Sequence, residues 1–291
     1  MDPLLSSRLA EAFSWVEEGL SSLEMYSDGT LLPDHCRYAL SAGGKRLRPF
    51  LVREACLALS GDPEKALPAG CAVEMVHTYS LVHDDLPSMD DDDFRRGIPT
   101  LHRRAGEGPA ILAGDRLLTE AFRTIARTPG PPERIREMIL RLADASGARC
   151  LVGGQYMDMF PPEPADEAWI NRMVSGKTAA LLRVSLELGA LAAGAPREIL
   201  NRLSELGERL GFLFQLTDDI LDVTGSKEEM GKAVGKDASR GKWNPVTAMG
   251  LSGAVREALS RAGMLSSEFL GLGDGWRAVS ALCLHLPRRR S

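Results

Sequence analysis

Three well-separated stretches of this 291-residue chain share one apolar spacing, and that period limits the fold more than any other feature. Leu5, Leu9, Phe13, Val16, Leu20 and Leu23 recur at intervals of three and four. Ile135, Met138, Ile139 and Leu142 do the same, as do Leu203, Leu206, Leu210 and Leu213. Such spacing lines one face of an α-helix. Alternating strand patterns are absent. Gly and Pro clusters at 60–63, 128–132, 161–164 and 271–275 break the helical runs without a long linker, a repeat or a low-complexity tract. The sequence therefore predicts an all-α protein, a single domain over 1–291 with about ten or more helices.

Composition narrows the function classes. The net charge of −5 argues against a nucleic-acid partner, which a basic domain would announce. The most apolar long stretch, Ala179 to Pro196, is interrupted by Arg183 and Glu187, so no membrane span is expected. The opening M-D-P-L-L-S-S-R lacks the basic and apolar regions of a secretory signal. Cys36, Cys56, Cys71, Cys150 and Cys283 are scattered, without metal-site spacing, and are expected as free thiols in a reducing compartment. A soluble cytoplasmic protein follows.

Against this background one run stands apart: L-V-H-D-D-L-P-S-M-D-D-D-D-F-R-R-G, from Leu81 to Gly97, with six aspartates between Asp84 and Asp93. Carboxylates this close raise one another's pKa unless a cation sits among them. Mg²⁺ takes one or two carboxylates together with substrate phosphate oxygens. Arg95 and Arg96 then suit the phosphate itself. A metal-bridged diphosphate site is one reading and a solvated acidic loop is the other. An EF-hand calcium loop fits less well, because Pro87 interrupts the run and no glycine occupies the turn. Pro87 also predicts that the helix containing Glu74 to His83 ends here.

A second acidic group follows at Q-L-T-D-D-I-L-D-V, residues 215–223. Gln215, Asp218 and Asp222 fall on one helical face. The flanking Phe212, Leu213, Leu216, Ile220 and Leu221 predict a mostly buried helix, where acids need a cation or hydrogen-bond donors.

Cations occur in matching places. G-G-K-R-L-R-P at 43–49 sets Lys45, Arg46 and Arg48 beside a flexible glycine pair, suited to an anion or to a plain basic turn. His77 lies seven residues before Asp84, on nearly the same helical face. Lys177 occupies an apolar position in the stripe Ile170, Met173, Lys177, Leu181, Val184 and Leu188. It needs a buried anion unless its stem snorkels to solvent. Lys232, Lys236 and Lys242, in a Gly- and Lys-rich segment, suit either a phosphate lid or a solvated loop. Arg288 to Arg290 form a tail unless they fold back.

With both acid clusters and G-G-K-R-L-R-P in place, the chain resembles the trans-isoprenyl diphosphate synthases, most of all the bacterial farnesyl diphosphate synthases. The resemblance runs from Gly43 to Pro245. It includes A-G-D at Ala113, G-G-Q-Y-M-D at Gly153, G-K-T at Gly176, F-Q-L-T-D-D-I-L-D at Phe214 and G-K-D at Gly235. It implies helices around a central cavity, a homodimer, and three Mg²⁺ ions (or Mn²⁺ in their place) bridging diphosphate to two Asp-rich helices. By the same resemblance Asp84, Asp90 and Asp218 are metal ligands, with Asp85, Asp219 and Asp222 supporting them. Arg95, Lys177, Thr178, Gln215, Lys232 and Lys242 would hold the allylic diphosphate, dimethylallyl or geranyl. Lys45, Arg48, His77 and Arg96 would hold isopentenyl diphosphate. Lys177, Thr178 and Gln215 would face the allylic cation. Tyr79, about 7.5 Å before Asp84 along a helix, resembles the floor that stops growth at farnesyl, although it also reads as an ordinary core tyrosine. The product would be (E,E)-farnesyl diphosphate. The alternatives are a geranylgeranyl diphosphate synthase, a non-catalytic partner subunit, and a terpene cyclase, which needs no site for a second diphosphate.

Overall fold

A computed structural model describes residues 1–23, 29–224, 246 and 249–289. The described chain is almost entirely helical. In order come α1 (Pro3–Ser22), α2 (Leu32–Ser41), α3 (Leu47–Ala58) and α4 (Pro63–Asp84). Next are α5 (Leu101–Ala105), α6 (Glu107–Ile125), α7 (Pro132–Ser146), α8 (Leu151–Met159) and α9 (Glu167–Val174). The chain closes with α10 (Ala180–Ala193), α11 (Arg197–Thr224), α12 (Leu251–Gly271) and α13 (Arg277–His285).

Local sequence sets the helix starts. Asp2 accepts from the N–H groups of Leu4 and Leu5, and Pro3 takes the first helical position of α1. Asp62 and Pro63 repeat the device at α4. Helices α4 and α10 are buried on every side, as expected of helices without a polar face. Helix α4 packs against α3, α6 and α10, and α10 packs against α3, α7 and α11. One apolar cluster of buried side chains reaches from Leu5 to Leu286. Among the described residues no helix is long and apolar enough to cross a membrane. All five cysteines are free, and all but Cys150 are buried.

Three local expectations are corrected. In α1, Phe13 is 41% exposed, while Ala12 and Trp15 take the buried face. The stripe drifts because a step of four overshoots the 3.6-residue turn. A two-stranded antiparallel ribbon, β1 (Phe94–Arg95) with β2 (Ile98–Pro99), also appears. Its turn places Arg96 and Gly97 at φ 53° and 81°, the left-handed pair that hairpins of this length use. Two residues per strand are too few to leave an alternating pattern. Finally, the stripe from Ile170 to Leu188 is not one α-helix: residues Ser175–Ala179 form a π turn between α9 and α10.

Candidate active site

The first acid cluster is built by the end of α4. Asp84 is the last helical residue and Asp85 caps it. Beyond Pro87 the chain doubles back, and the Asp90 N–H donates to the Asp84 carbonyl at 2.9 Å. The loop thus returns Asp90 to the helix end. Burial, helped by Asp90 and Asp85 and opposed by Lys177 and Arg95, raises the Asp84 carboxyl to about 6. Asp85 is buried and accepts from Arg95 Nε at 2.8 and 2.9 Å, which pins the β-ribbon to α4. Farther out, Asp91, Asp93 and His102 bring ligand atoms within 4.8 Å of one another, with the Arg103 guanidinium paired to both carboxylates.

The second cluster lies on α11. Asp219 is buried and accepts from Gln215 Nε2 at 2.9 Å. The other end of that amide, Oε1, accepts from Thr178 Oγ1 at 2.7 Å. The π turn and the acid helix are therefore joined through one oriented amide. Asp218 is the outward acid, its side chain 44% exposed, and burial of its surroundings raises its pKa against the opposing Arg289. Asp222 is half-buried one turn on.

Lys177 sits in the π turn, where the added residue widens the helix, as often happens at functional sites. Its Nζ donates to Asp158 on α8 at 2.6 Å. Burial works against the ammonium, but Asp158, Asp84 and Asp90 together raise its pKa. Asp158 is a residue that sequence reasoning missed, although it stands in the quoted G-G-Q-Y-M-D motif. The glycine before Gln155 explains the pairing: a Cβ on Gly154 would lie 2.3 Å from the Lys177 N. Only a bare backbone lets α8 lie against the π turn.

The G-G-K-R-L-R-P cations divide in two. Arg46 is not a ligand candidate. It is buried at φ 46°, and it donates to Glu74 and Glu17 at 2.7 Å each and to the Leu40 carbonyl. That pairing locks α3 to α1 and α4. Lys45 and Arg48 instead turn toward Asp218. Burial lowers Arg48 to about 10, and its Nε is buried without a hydrogen-bond partner among the described residues. Arg96 donates to the Gly43 carbonyl, and its guanidinium lies where a Cβ on Gly44 would fall, 2.4 Å from Nη1. His77 is held neutral: burial, then Arg48, Arg96 and Arg95, push its pKa well below 6.5. Lys45, Arg48 and Arg96 thus form a positive wall beside neutral His77 of α4.

Tyr79 is buried on α4 with its ring edge-on to His83, centroids 5.8 Å apart, and its Oη has no partner among the described residues. Lys232, Lys236 and Lys242 lie outside the described residues. Arg289, a tail residue by sequence unless the end of the chain folds back, does fold back onto Asp218.

Oxygen-only acid groups whose carboxyls are raised by burial and by each other fit a hard divalent cation. The cation wall fits a second anion without metal. Residues 30–262 match the family model described as polyprenyl synthetase. The chain is 44% identical over 247 residues to the farnesyl diphosphate synthase of Geobacillus stearothermophilus, covering 82% of each chain. It is 40% identical over 258 residues to the geranylgeranyl diphosphate synthase of Cyanophora paradoxa, covering 87% of this chain and 86% of that one. A Helicobacter pylori geranyltransferase, solved with magnesium and isoprenyl diphosphate, superposes with a TM-score of 0.84 at 30% identity, over 99% of this chain and 97% of that one.

Proposed function

The chain belongs to the polyprenyl synthetase family, and from that premise we propose that it condenses isopentenyl diphosphate with dimethylallyl and then geranyl diphosphate to give (E,E)-farnesyl diphosphate. It is a prenyltransferase of the all-α isoprenoid synthase fold. The family depends on Mg²⁺ and uses isoprenyl diphosphates. One observation carries the two-substrate reading: beside the acid clusters stands a separate cation wall whose Arg48 Nε is buried and unpartnered among the described residues. A cyclase, which ionises a single diphosphate, has no use for it.

In this reading Asp84, Asp90 and Asp218 would hold three Mg²⁺ per site, or Mn²⁺ in their place, which would supply Lewis-acid neutralisation of diphosphate charge. Lys177 and Arg95 hold the allylic diphosphate by charge-assisted hydrogen bonds, the role also expected of Lys232 and Lys242. The allylic C–O bond breaks and its electron pair departs with diphosphate. Thr178 and Gln215 turn their oxygens toward the cationic carbon, their positions fixed by the bond between them and by Asp219. Lys45, Arg48, His77 and Arg96 place isopentenyl diphosphate so that its double bond attacks the cation. A new C–C bond forms, and the released diphosphate takes the proton that restores the alkene. Neutral His77 donates a hydrogen bond without adding charge.

Tyr79 favours the C15 product over C20, because a bulky buried ring one and a half turns below Asp84 blocks the path of a growing chain. The whole chain works as one domain of a cytoplasmic homodimer. The test is incubation with Mg²⁺, isopentenyl diphosphate and each allylic primer, with products identified by mass. Farnesyl diphosphate is expected. Cyclised product from geranyl diphosphate alone would point to a cyclase, and no product at all to a partner subunit.

A further inference from the structure

Arg289 is held by contacts of three kinds, all at the second acid cluster. The 3₁₀ turn Leu286–Arg288 after α13 buries Leu286 and carries the chain back across α11. There Arg289 Nη2 donates to Asp218 Oδ1 and, at 3.1 Å, to Thr217 Oγ1. Its Cζ lies 4.5 Å from the centre of the Phe214 ring, a geometry that favours a guanidinium. The side chain is 9% exposed and its Nε is buried without a hydrogen-bond partner among the described residues. Its neighbour Arg288 is exposed.

We propose that Arg289 is a built-in competitor for the divalent cation at Asp218, a C-terminal latch that the cation displaces. The inference rests on the metal role of Asp218 proposed above. The guanidinium hydrogen-bonds the carboxylate that a hard cation would ligate. Lys45 and Arg48 also act on this carboxylate through their charge, so a further two positive charges from a metal are repelled unless the nearest cation withdraws. Such coupling is reciprocal: whatever the arginine takes from metal affinity, the metal takes from tail docking. Freed from Asp218, the arginine keeps an unmet Nε and regains its Nη2, which suits it to oxygen-rich anions near the same cleft.

The test is Mn²⁺ binding to the full chain without substrate, followed by the electron paramagnetic resonance of free Mn²⁺. Arg289→Ala is expected to tighten binding about tenfold, within the usual span of coupling between sites. Arg289→Gln, which keeps the stem on Phe214 but removes the charge, should do the same if the alanine variant folds poorly. Arg288→Ala, which removes the neighbouring charge from an exposed position, should change little. Equal affinity in all four proteins, or equal tightening in Arg288→Ala, overturns the latch, as does a failure of both Arg289 variants to bind Mn²⁺. Asp218→Asn examines the other premise separately: undiminished Mn²⁺ binding there would remove Asp218 from the metal site, whatever Arg289 does.

Discussion

Lys177 Nζ lies 2.6 Å from the Asp158 carboxylate, although the two residues belong to different helices. This pair holds the lysine charged and aimed across the π turn toward Asp84. Asp158→Asn should therefore lower kcat/KM for the allylic substrate about 10- to 100-fold, in line with removing one partner of a partly buried charge pair. Lys177→Ala should cost more, about 10²- to 10³-fold. Steady-state kinetics with melting temperatures measured alongside would check both, and an Asp158→Asn enzyme with unaltered kinetics would break the link.

Asp84 is costly to the fold once it is ionised. Its folded pKa, about 6, stands above the ordinary aspartate value of 3.8. As pH rises the unfolded chain releases this proton first, so the group's contribution is best below 3.8 and declines until pH passes 6. Once ionised, Asp84 costs the fold roughly 2 to 3 kcal/mol. Asp84→Asn should accordingly raise the melting temperature by several degrees at pH 8 in chelator, with little gain at pH 4, while activity falls at least about 10²-fold. Thermal unfolding at the two pH values decides it, and a variant that melts lower at pH 8 would refute the sign.

His77 has the opposite linkage. Its folded pKa is depressed below 6.5 by burial and by Arg48 and Arg96. The unfolded chain takes up this proton first as pH falls, so the stability it contributes is complete above pH 6.5 and is lost on acidification. His77→Gln should flatten the loss of stability between pH 7 and pH 5. Kinetically it should raise KM for isopentenyl diphosphate more than it lowers kcat. Denaturant titrations at each pH supply the first test; an equally steep decline in the variant would exclude His77 as its source.

Tyr79 is the proposed determinant of product length. Tyr79→Ala should extend the product beyond C15 and destabilise the fold by about 2 to 4 kcal/mol as a core truncation. Tyr79→Phe should leave the product unchanged, because Oη makes no hydrogen bond among the described residues and only ring volume matters. Mass spectrometry of both product mixtures settles the assignment, and a C15-only profile from Tyr79→Ala would end it.

The sequence by itself determined the helical class, both acid clusters and the cation-bearing segments, because each is a local pattern: a period, a run, or a motif of short spacing. Where α4 stops was legible from Pro87, and the need of Lys177 for an anion was legible from its place in an apolar stripe. Which anion it found was decided by tertiary structure, since Asp158 meets it only where Gly154 lets two backbones touch. The same holds for Arg46, one of three adjacent cations until folding buried it against Glu74 and Glu17. It holds again for Arg289, a surface tail in one dimension and the partner of Asp218 in three. Sequence spacing fixes which face a side chain shares with its near neighbours. Pairing across dozens of residues depends on how helices pack, and packing is set by the shape of the whole core.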